Sequence, residues 1–271
     1  MTRALAVGIA ILALAAAGPA FALDPGTVTG HYTGDGTKLA FTHAIALAQD
    51  DAEGFLDHGP QIRVLLSQED VPVSALYGIA FPPVRQMARA GAVHGVLLEF
   101  SPKDKTVLQV TVLARSGEAG EFFHSLSLSR NTGLWKKLDA SDSRVSGDYD
   151  GAGEPDLVFH FSAPVSTDPV VSDLKGPEAA ASEPVKLLIT RAQLLQKGDL
   201  AGAKAVSAKG SQIQDATPEM LKQVGPQIGQ VLKQYRAAKR VVIRHETAAV
   251  VLDAHTWASL IREDGVWKVA D

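Results

Sequence analysis

Cysteine is absent from this chain of 271 residues. Without cysteine the chain forms no disulfide bond, takes no lipid anchor on a thiol and offers no thiolate as a nucleophile or zinc ligand. The formal net charge is −4, and we find no basic patch, so electrostatics gives no reason to expect nucleic-acid binding. Its stability must therefore come from apolar cores alone.

The sequence also lacks the short motifs of several enzyme classes. Neither Gly-x-Ser-x-Gly, nor His-Glu-x-x-His, nor a phosphate-binding glycine loop occurs in it. Serine hydrolases, zinc proteases and nucleotide-binding proteins therefore lack their usual sequence support. We expect no cofactor.

The N-terminus has the three parts of a secretory signal peptide. Arg3 is followed by an apolar run from Ala4 to Ala17, then by Gly18-Pro19 and the small-x-small triplet that ends at Ala22. The run is shorter than the roughly 20 apolar residues that span a bilayer. We expect residues 1–22 to be cleaved after Ala22, which leaves a mature protein without a membrane span, in the periplasm or secreted.

Residues 23–163 are typical of a β-rich domain, which we expect to be sandwich-like. Short runs of β-branched and aromatic residues alternate with glycine, aspartate, asparagine and proline, a pattern that predicts strands and turns. The clearest predicted strands are 62–67, 93–101, 106–114 and 156–162.

Two segments of this region resemble each other. Val28 to Phe41 and Val145 to Phe159 share a Gly-x-Tyr followed by a Gly-x-Gly. The Gly-x-Gly permits the tight reversal of a hairpin, and the tyrosine places one large aromatic side chain on one face. Both segments are predicted hairpins, produced either by duplication or by two solutions to one turn.

Composition changes between residues 164 and 183. Three prolines and an alanine run stand here among serine, aspartate and glutamate, and Pro184 follows directly. Such a segment buries little apolar surface, so we interpret it as a flexible linker between two domains.

Residues 184–271 change to a helical period and then back to strands. Ser182, Asp199 and Thr217 are predicted helix caps, and Pro218 follows the third of them. Four strands then follow, at 241–246, 248–253, 257–262 and 266–269, the last joined through the hairpin signal Asp264-Gly265. This order predicts an α+β domain.

Two motifs at the ends of this region carry a family resemblance. Leu195-Gln-Lys-Gly-Asp-Leu-Ala-Gly-Ala203 and Arg262-Glu-Asp-Gly-Val-Trp-Lys-Val-Ala-Asp271, with helices before an antiparallel meander, resemble the nuclear transport factor 2-like (SnoaL-like) superfamily over about residues 182–271. The resemblance implies a cone-like sheet around helices, usually with a pocket and often in a dimer. Because members include isomerases, cyclases and non-catalytic proteins, the fold does not fix the function.

Five polar or aromatic residues are candidates to face a pocket in such a cone. An aspartate with a raised pKa could remove a proton while a tyrosine or histidine polarises a carbonyl. The alternative is structural, since Asp253 and His255 lie in a predicted turn and Tyr235 continues an apolar helix stripe. The candidates are Tyr235, His245, Asp253, His255 and Trp257.

Four acidic residues near position 150 form a candidate calcium loop. Oxygen ligands this close together could surround a calcium ion, but the glycine position and the end of the loop differ from those of an EF-hand. The similar segment at Gly30 to Gly36 has fewer acidic residues and favours an ordinary turn. The four are Asp148, Asp150, Glu154 and Asp156; the spacing of the eight histidines predicts no metal site.

The sequence thus predicts an exported, two-domain, non-enzymatic protein that binds a small apolar ligand or an envelope protein, and that forms a homodimer through its C-terminal domain. The alternative is an enzyme with acid/base chemistry in the cone pocket, such as an isomerase, a cyclase or a small-molecule hydrolase. A third alternative is a scaffold whose β-domain edge strands extend the sheet of a partner.

Overall fold

The computed structural model describes residues 26–34, 36–52, 54, 59–78, 83–103, 105–116, 121–126, 135–151, 153, 155–253 and 256–270. The predicted signal peptide, with its cleavage site at Ala22, lies outside the described residues.

Ten strands and one short helix make up the first part of the described chain. The helix α1 spans Pro83–Arg89, and one 3-10 turn spans Val73–Leu76. The strands are β1 Thr27–Gly34, β2 Thr37–Ala40, β3 His43–Gln49, β4 Gln61–Ser67, β5 Gly95–Phe100, β6 Val107–Ser116, β7 Glu121–Leu126, β8 Trp135–Ala140, β9 Arg144–Gly151 and β10 Asp156–Thr167.

The long strand β10 joins these strands into one curled sheet. Most of β10 lies antiparallel between β1 and β9, and its last residues, from Val165 to Thr167, pair in parallel with β3. From β3 the sheet continues through β4, β5 and β6 to β7, while β2 and β8 extend the other half beyond β1 and β9. Side chains from both halves, such as Tyr149 and Leu98, share one buried core.

The strands β4 and β5 are buried along their whole length. One face of these strands points into the core of the curled sheet, and the other face is covered by α1 and the 3-10 turn. Leu65 and Leu97 on the second face pack with Val84 and Ala88 of α1. Burial on both faces explains the apolar runs Val64 to Leu66 in β4 and Val96 to Leu98 in β5.

The two similar segments are both hairpins, as the sequence predicts. One is formed by β1 and β2 and the other by β9 and β10, so their first strands flank β10 on its two sides. Gly30 and Gly147 precede the buried Tyr32 and Tyr149 by two residues on the same face. A side chain at Gly30 would overlap the β10 backbone at Val158, and one at Gly147 would overlap the Phe161 ring.

The predicted linker, residues 164–183, contains regular structure. It holds the end of β10, then β11 (Val170–Lys175) and the short helix α2 (Pro177–Ala180). Pro164 lies where β10 changes partner from β1 to β3, Pro177 lies in the first turn of α2, and Pro184, directly after the segment, lies in the first turn of the next helix. The segment therefore has regular structure, because these prolines begin or bound elements. Its role as a flexible linker between two domains stays a prediction.

The last part of the chain is a five-stranded antiparallel sheet with helices on one face. Its strand order follows the chain from β11 to β15, and α3 packs on β13 and β15 as well as on α5. The remaining elements are α3 Glu183–Gln196, α4 Leu200–Ala205, a 3-10 turn Gln212–Asp215, α5 Pro218–Arg236, β12 Arg240–Arg244, β13 Thr247–Val251, β14 Trp257–Glu263 and β15 Val266–Val269.

The fold is therefore mixed and β-rich, with about 45% of the described residues in strands and 27% in helices. The division into two domains at the predicted boundaries stays a prediction. Within the residues that the structure describes, no helix is long and apolar enough to span a membrane.

Candidate functional site

The pocket candidates from the sequence lie at separate places around the C-terminal sheet. His245 lies in the turn between β12 and β13, with an exposed side chain whose Nδ1 is 2.9 Å from Glu246 Oε1. Asp253 lies in the turn that follows β13 and is exposed. These two residues are at opposite ends of β13, a five-residue strand, so about 16 Å of strand separates the two turns.

Tyr235 and Trp257 belong to opposite faces of the same sheet. Tyr235 packs from α5 against the core between the helices and the sheet. Trp257 precedes Ala258, which belongs to that core, so strand alternation directs Trp257 to the other face. His255 lies outside the described residues. The structure thus does not bring His245 and Asp253, or Tyr235 and Trp257, to one position.

The acidic candidates for calcium lie on β9 and at the start of β10. Asp150 Oδ2 accepts a hydrogen bond from Lys136 Nζ at 2.6 Å, and Asp156 Oδ2 lies 2.9 Å from His31 Nε2. Asp148 pairs with His160 across the strands, and Glu154 lies outside the described residues. In the described part of the chain, no three histidine, aspartate or glutamate side chains are grouped as metal ligands.

A set of polar contacts joins the C-terminal sheet to the first part of the chain. The guanidinium of Arg244 forms a two-pronged ion pair with Asp50 and also donates to the carbonyl of Asp168 at 2.9 Å. The Asp168 carboxylate accepts from the Glu246 amide at 2.9 Å and from the Thr247 hydroxyl at 2.6 Å. We call these residues, Asp50, Asp168, Arg244 and Thr247, the polar latch.

A narrow crevice lies beside the polar latch, between β3, the chain after the 3-10 turn at Val73–Leu76, and the C-terminal sheet. Leu47, Tyr77, Asp168 and Ala249 are among its lining residues, and its volume is about 20 Å³. Burial raises the pKa of Tyr77, and the charges of Asp168 and Glu246 act in the same direction. Because a cavity of this size holds about one water molecule, the crevice does not admit an organic ligand.

A buried ion pair lies under the 3-10 turn on the outer face of β4 and β5. Arg63 Nε donates to Glu99 Oε1 at 2.8 Å, and its Nη1 donates to the carbonyls of Leu76, at 3.1 Å, and Gly78. Arg85 of α1 lies 3.9 Å from the other Glu99 oxygen. Burial lowers the pKa of Arg63, and the charge of Glu99 opposes that change.

The larger opening is a cleft between α1 and the segment that follows α4. Its volume is about 510 Å³, which lies within the range of small-molecule sites. We call it the α1 cleft. Its lining residues are Pro83, Met87, Arg89, Ala90 and Ala92 on one wall, with Lys209, Gly210, Ser211, Gln214, Asp215 and Glu263 on the other.

Both walls of the α1 cleft are held by contacts behind them. In the first wall, Val84 and Ala88 are buried in the core under α1, while Pro83, Met87 and Ala90 recur at helical spacing toward the cleft. In the second wall, the side-chain amide of Gln214 donates to the carbonyls of Lys204 and Ala208, each at 3.0 Å. The cleft is therefore formed by two fixed surfaces.

Charged groups stand among the apolar lining of the α1 cleft. Arg89 and Lys209 supply positive charge, and Asp215 and Glu263 supply negative charge. The Glu263 carboxylate accepts from the Lys209 backbone amide at 2.9 Å, which fixes its position. The lining thus suits a molecule that is mostly apolar and carries a polar group.

The sequence indicated neither the α1 cleft nor the buried ion pair. The cleft residues come from three distant segments and belong to no motif. The ion pair did leave a signal, since Arg63 and Glu99 each interrupt an otherwise apolar strand. Charged residues in the middle of two-sided buried strands are almost always paired, so a partner could have been sought there.

Comparisons of this chain with protein-family models, with curated proteins and with solved structures found no match.

Proposed function

We propose that this protein is an exported, non-enzymatic binding protein, and that the α1 cleft holds its ligand, a small and mostly apolar molecule with a polar group. The observation that carries the proposal is a cleft of about 510 Å³ between two walls that are each fixed from behind. A preformed cleft loses little conformational freedom when it binds, so more of the interaction energy remains as affinity.

The proposal of a non-enzymatic role is supported by the positions of the predicted acid/base residues. General acid/base catalysis needs both groups within hydrogen-bond reach of the same reacting molecule. His245 and Asp253 lie at the two ends of β13, and Tyr235 packs among apolar side chains. The geometry supports an isomerase, cyclase or hydrolase in the C-terminal part less well than it supports binding in the α1 cleft.

The proposal includes an assignment of the two domains. We infer a sandwich-like first domain from the two halves of the curled sheet that share a core, and a cone-like second domain of the nuclear transport factor 2-like kind. The helices that precede an antiparallel meander support this second assignment. The strand β11, which pairs with β12 ahead of the helices in the chain, is an addition to the predicted order.

The scaffold alternative gains less support from two of the three edge strands in the described part of the curled sheet. The edge strand β2 has only four residues, and β8 carries Lys136 and Lys137 together with a register shift. Short strands, lysines and bulges are the features that prevent one sheet from adding to another.

The test uses the mature protein purified from an exporting host. Native mass spectrometry reports any molecule that stays bound, and the same spectrum shows whether the chain begins at Leu23. The binding of the apolar fluorescent reporter N-phenyl-1-naphthylamine is then titrated for the unsubstituted protein and for Ala90→Trp, which fills the α1 cleft. We expect the substitution to weaken binding by about tenfold or more.

The matched control is Ala201→Trp, because Ala201 is an exposed alanine on α4 that does not line the cleft. This variant should bind the reporter as the unsubstituted protein does. Equal affinity of the Ala90→Trp variant and the control, or no binding of the reporter and no retained molecule, would overturn the proposal.

A further inference from the structure

The two walls of the α1 cleft belong to different parts of the chain. The helix α1 packs with Leu65 and Leu97 of the curled sheet in one buried core. The segment after α4 is tied to the C-terminal sheet, since the Ala208 amide donates to the carbonyl of Val269 at 2.8 Å. The width of the cleft therefore depends on the contacts that hold the C-terminal sheet against the first part of the chain.

The polar latch is such a contact, and it contains a buried charge. The side chain of Arg244 is 7% exposed and pairs with Asp50, the residue that follows β3. Its guanidinium also donates to the carbonyl of Asp168 at 2.9 Å. A buried guanidinium depends on its partners because water cannot replace them. The latch therefore fixes the end of β12 against the end of β3.

A path of hydrogen bonds leads from the polar latch to the second wall of the cleft. The Asp168 carboxylate accepts from the Glu246 amide at 2.9 Å, and the Glu246 carbonyl accepts from the Arg262 amide at 2.9 Å. The next residue, Glu263, lines the cleft and accepts from the Lys209 amide, also at 2.9 Å. The position of the second wall is therefore tied to Asp168.

The first wall is tied to Asp168 through Tyr77. Tyr77 lines the narrow crevice together with Asp168, and it packs against the core that holds Val84 and Ala88 of α1. Arg63 fixes the backbone around Tyr77, because its guanidinium donates to the carbonyls of the residues before and after it. Asp168 thus adjoins the supports of both walls.

We propose that Asp168 is a positioning residue for the α1 cleft, and that the polar latch sets the width of the cleft and with it the affinity for the ligand. This inference rests on the proposed function of the cleft, to which it adds control from outside the lining. Neither Asp168 nor Arg244 lines the cleft. A change in affinity that follows their substitution must therefore pass through the walls.

The first test titrates N-phenyl-1-naphthylamine into the unsubstituted protein, Asp168→Ala and Asp168→Asn. The alanine variant leaves the Glu246 amide without its acceptor, and it should bind the reporter at least about fivefold more weakly. The asparagine variant retains one acceptor oxygen and should recover part of the affinity. Circular dichroism checks that each variant is folded at the temperature of the titration.

The control for lost stability is Leu232→Ala. This variant opens a cavity between α3 and α5 and destabilises the chain by packing alone. It changes neither the latch nor the cleft, so it should bind the reporter as the unsubstituted protein does. Equal affinities of Asp168→Ala and Leu232→Ala would overturn the proposal.

The absence of cysteine allows a second measurement that needs no ligand. Nitroxide labels on Ala90→Cys and Ala201→Cys, both at exposed positions, report the distance between α1 and α4 by pulsed electron paramagnetic resonance. Asp168→Ala should shift or broaden this distance. A control pair on Ala201→Cys and Lys222→Cys, both in the C-terminal part, should be unaffected. An unchanged distance between α1 and α4 overturns the proposal.

The two measurements separate this inference from the proposed function. If the reporter does not bind the unsubstituted protein, the proposed function fails, while the label distances still decide whether the latch sets the width of the cleft. If Ala90→Trp weakens binding but Asp168→Ala does not, the cleft is the binding site and the role of Asp168 is wrong.

Discussion

The two sheets of this protein hold their charged groups in different ways. The curled sheet buries the pair of Arg63 and Glu99, whose side chains are 2% and 9% exposed. The C-terminal sheet pairs Arg244, whose side chain is 7% exposed, with Asp50, which is 50% exposed, so that only the carboxylate of this pair has access to water. A buried charge depends on its partner because water cannot replace that partner, whereas a charge with access to water has an alternative. Loss of these two ion pairs should therefore lower the free energy of unfolding by very different amounts.

Loss of the buried partner should have the largest effect. Glu99→Ala leaves the Arg63 guanidinium buried without its counter-ion, and we expect the free energy of unfolding to fall by about 3 to 5 kcal/mol. Urea unfolding followed by circular dichroism measures this change.

The control for Glu99→Ala is the double variant Arg63→Leu with Glu99→Leu, which removes both charges. It should recover most of the lost stability, although the carbonyls of Leu76 and Gly78 then lose their donor. If the double variant is no more stable than Glu99→Ala, the unpaired charge does not cause the loss, and the comparison between the two sheets fails.

Substitution of Asp168 should have an intermediate effect on the free energy of unfolding. This residue is buried, and its side chain belongs to the polar latch through hydrogen bonds. Asp168→Ala leaves the Glu246 amide and the Thr247 hydroxyl without their acceptor, at a cost of about 1 to 3 kcal/mol in the free energy of unfolding. Asp168→Asn retains one acceptor oxygen and should lose less. The order of the two variants in urea unfolding checks the assignment, and equal losses would contradict it.

Substitution of Asp50 should have the smallest effect on the free energy of unfolding. The hydrogen bonds from Arg244 hold the pKa of the Asp50 carboxyl below its usual range. Its contribution to stability is therefore present above the ordinary aspartate pKa of about 4 and is lost as the pH falls from there through the lowered pKa. Since Asp50 is half exposed, Asp50→Asn should cost only about 0.5 kcal/mol near neutral pH.

The measurement for Asp50 compares unfolding of the unsubstituted chain and of Asp50→Asn as a function of pH. The difference between them should shrink as the pH falls below about 4. A difference that is constant across this range, or as large as that of Glu99→Ala, would remove the contrast between the two sheets.

Local signals in the sequence predicted the helices of the C-terminal part well. Thr217 accepts a hydrogen bond from the Met220 amide and begins α5, and Asp199 accepts one from the Gly202 amide and begins α4. Caps act within one turn of their own helix, so the sequence alone is enough to find them. Ser182 precedes α3 as predicted, yet its hydroxyl makes no capping hydrogen bond.

The arrangement of the curled sheet could not be predicted in the same way. The strand β1 pairs with β10, so that Thr33 lies beside Asp156, and no local pattern specifies a partner at that separation. The α1 cleft was missed for the same reason, because its walls come from residues near positions 85 and 212. Composition alone also did not predict the strand and the helix in residues 164–183, where Pro164 lies in β10 and Pro177 begins α2.

The position of β10 affects when the chain can fold during its synthesis. The strands β1 and β3 are synthesised early, but both wait for β10, which follows more than 100 residues later. Until then their open edges can pair with other chains, and such distant pairing is slow. A chain held unfolded until its synthesis is complete avoids this hazard, so delayed folding would protect this protein better than folding from the first strand onward.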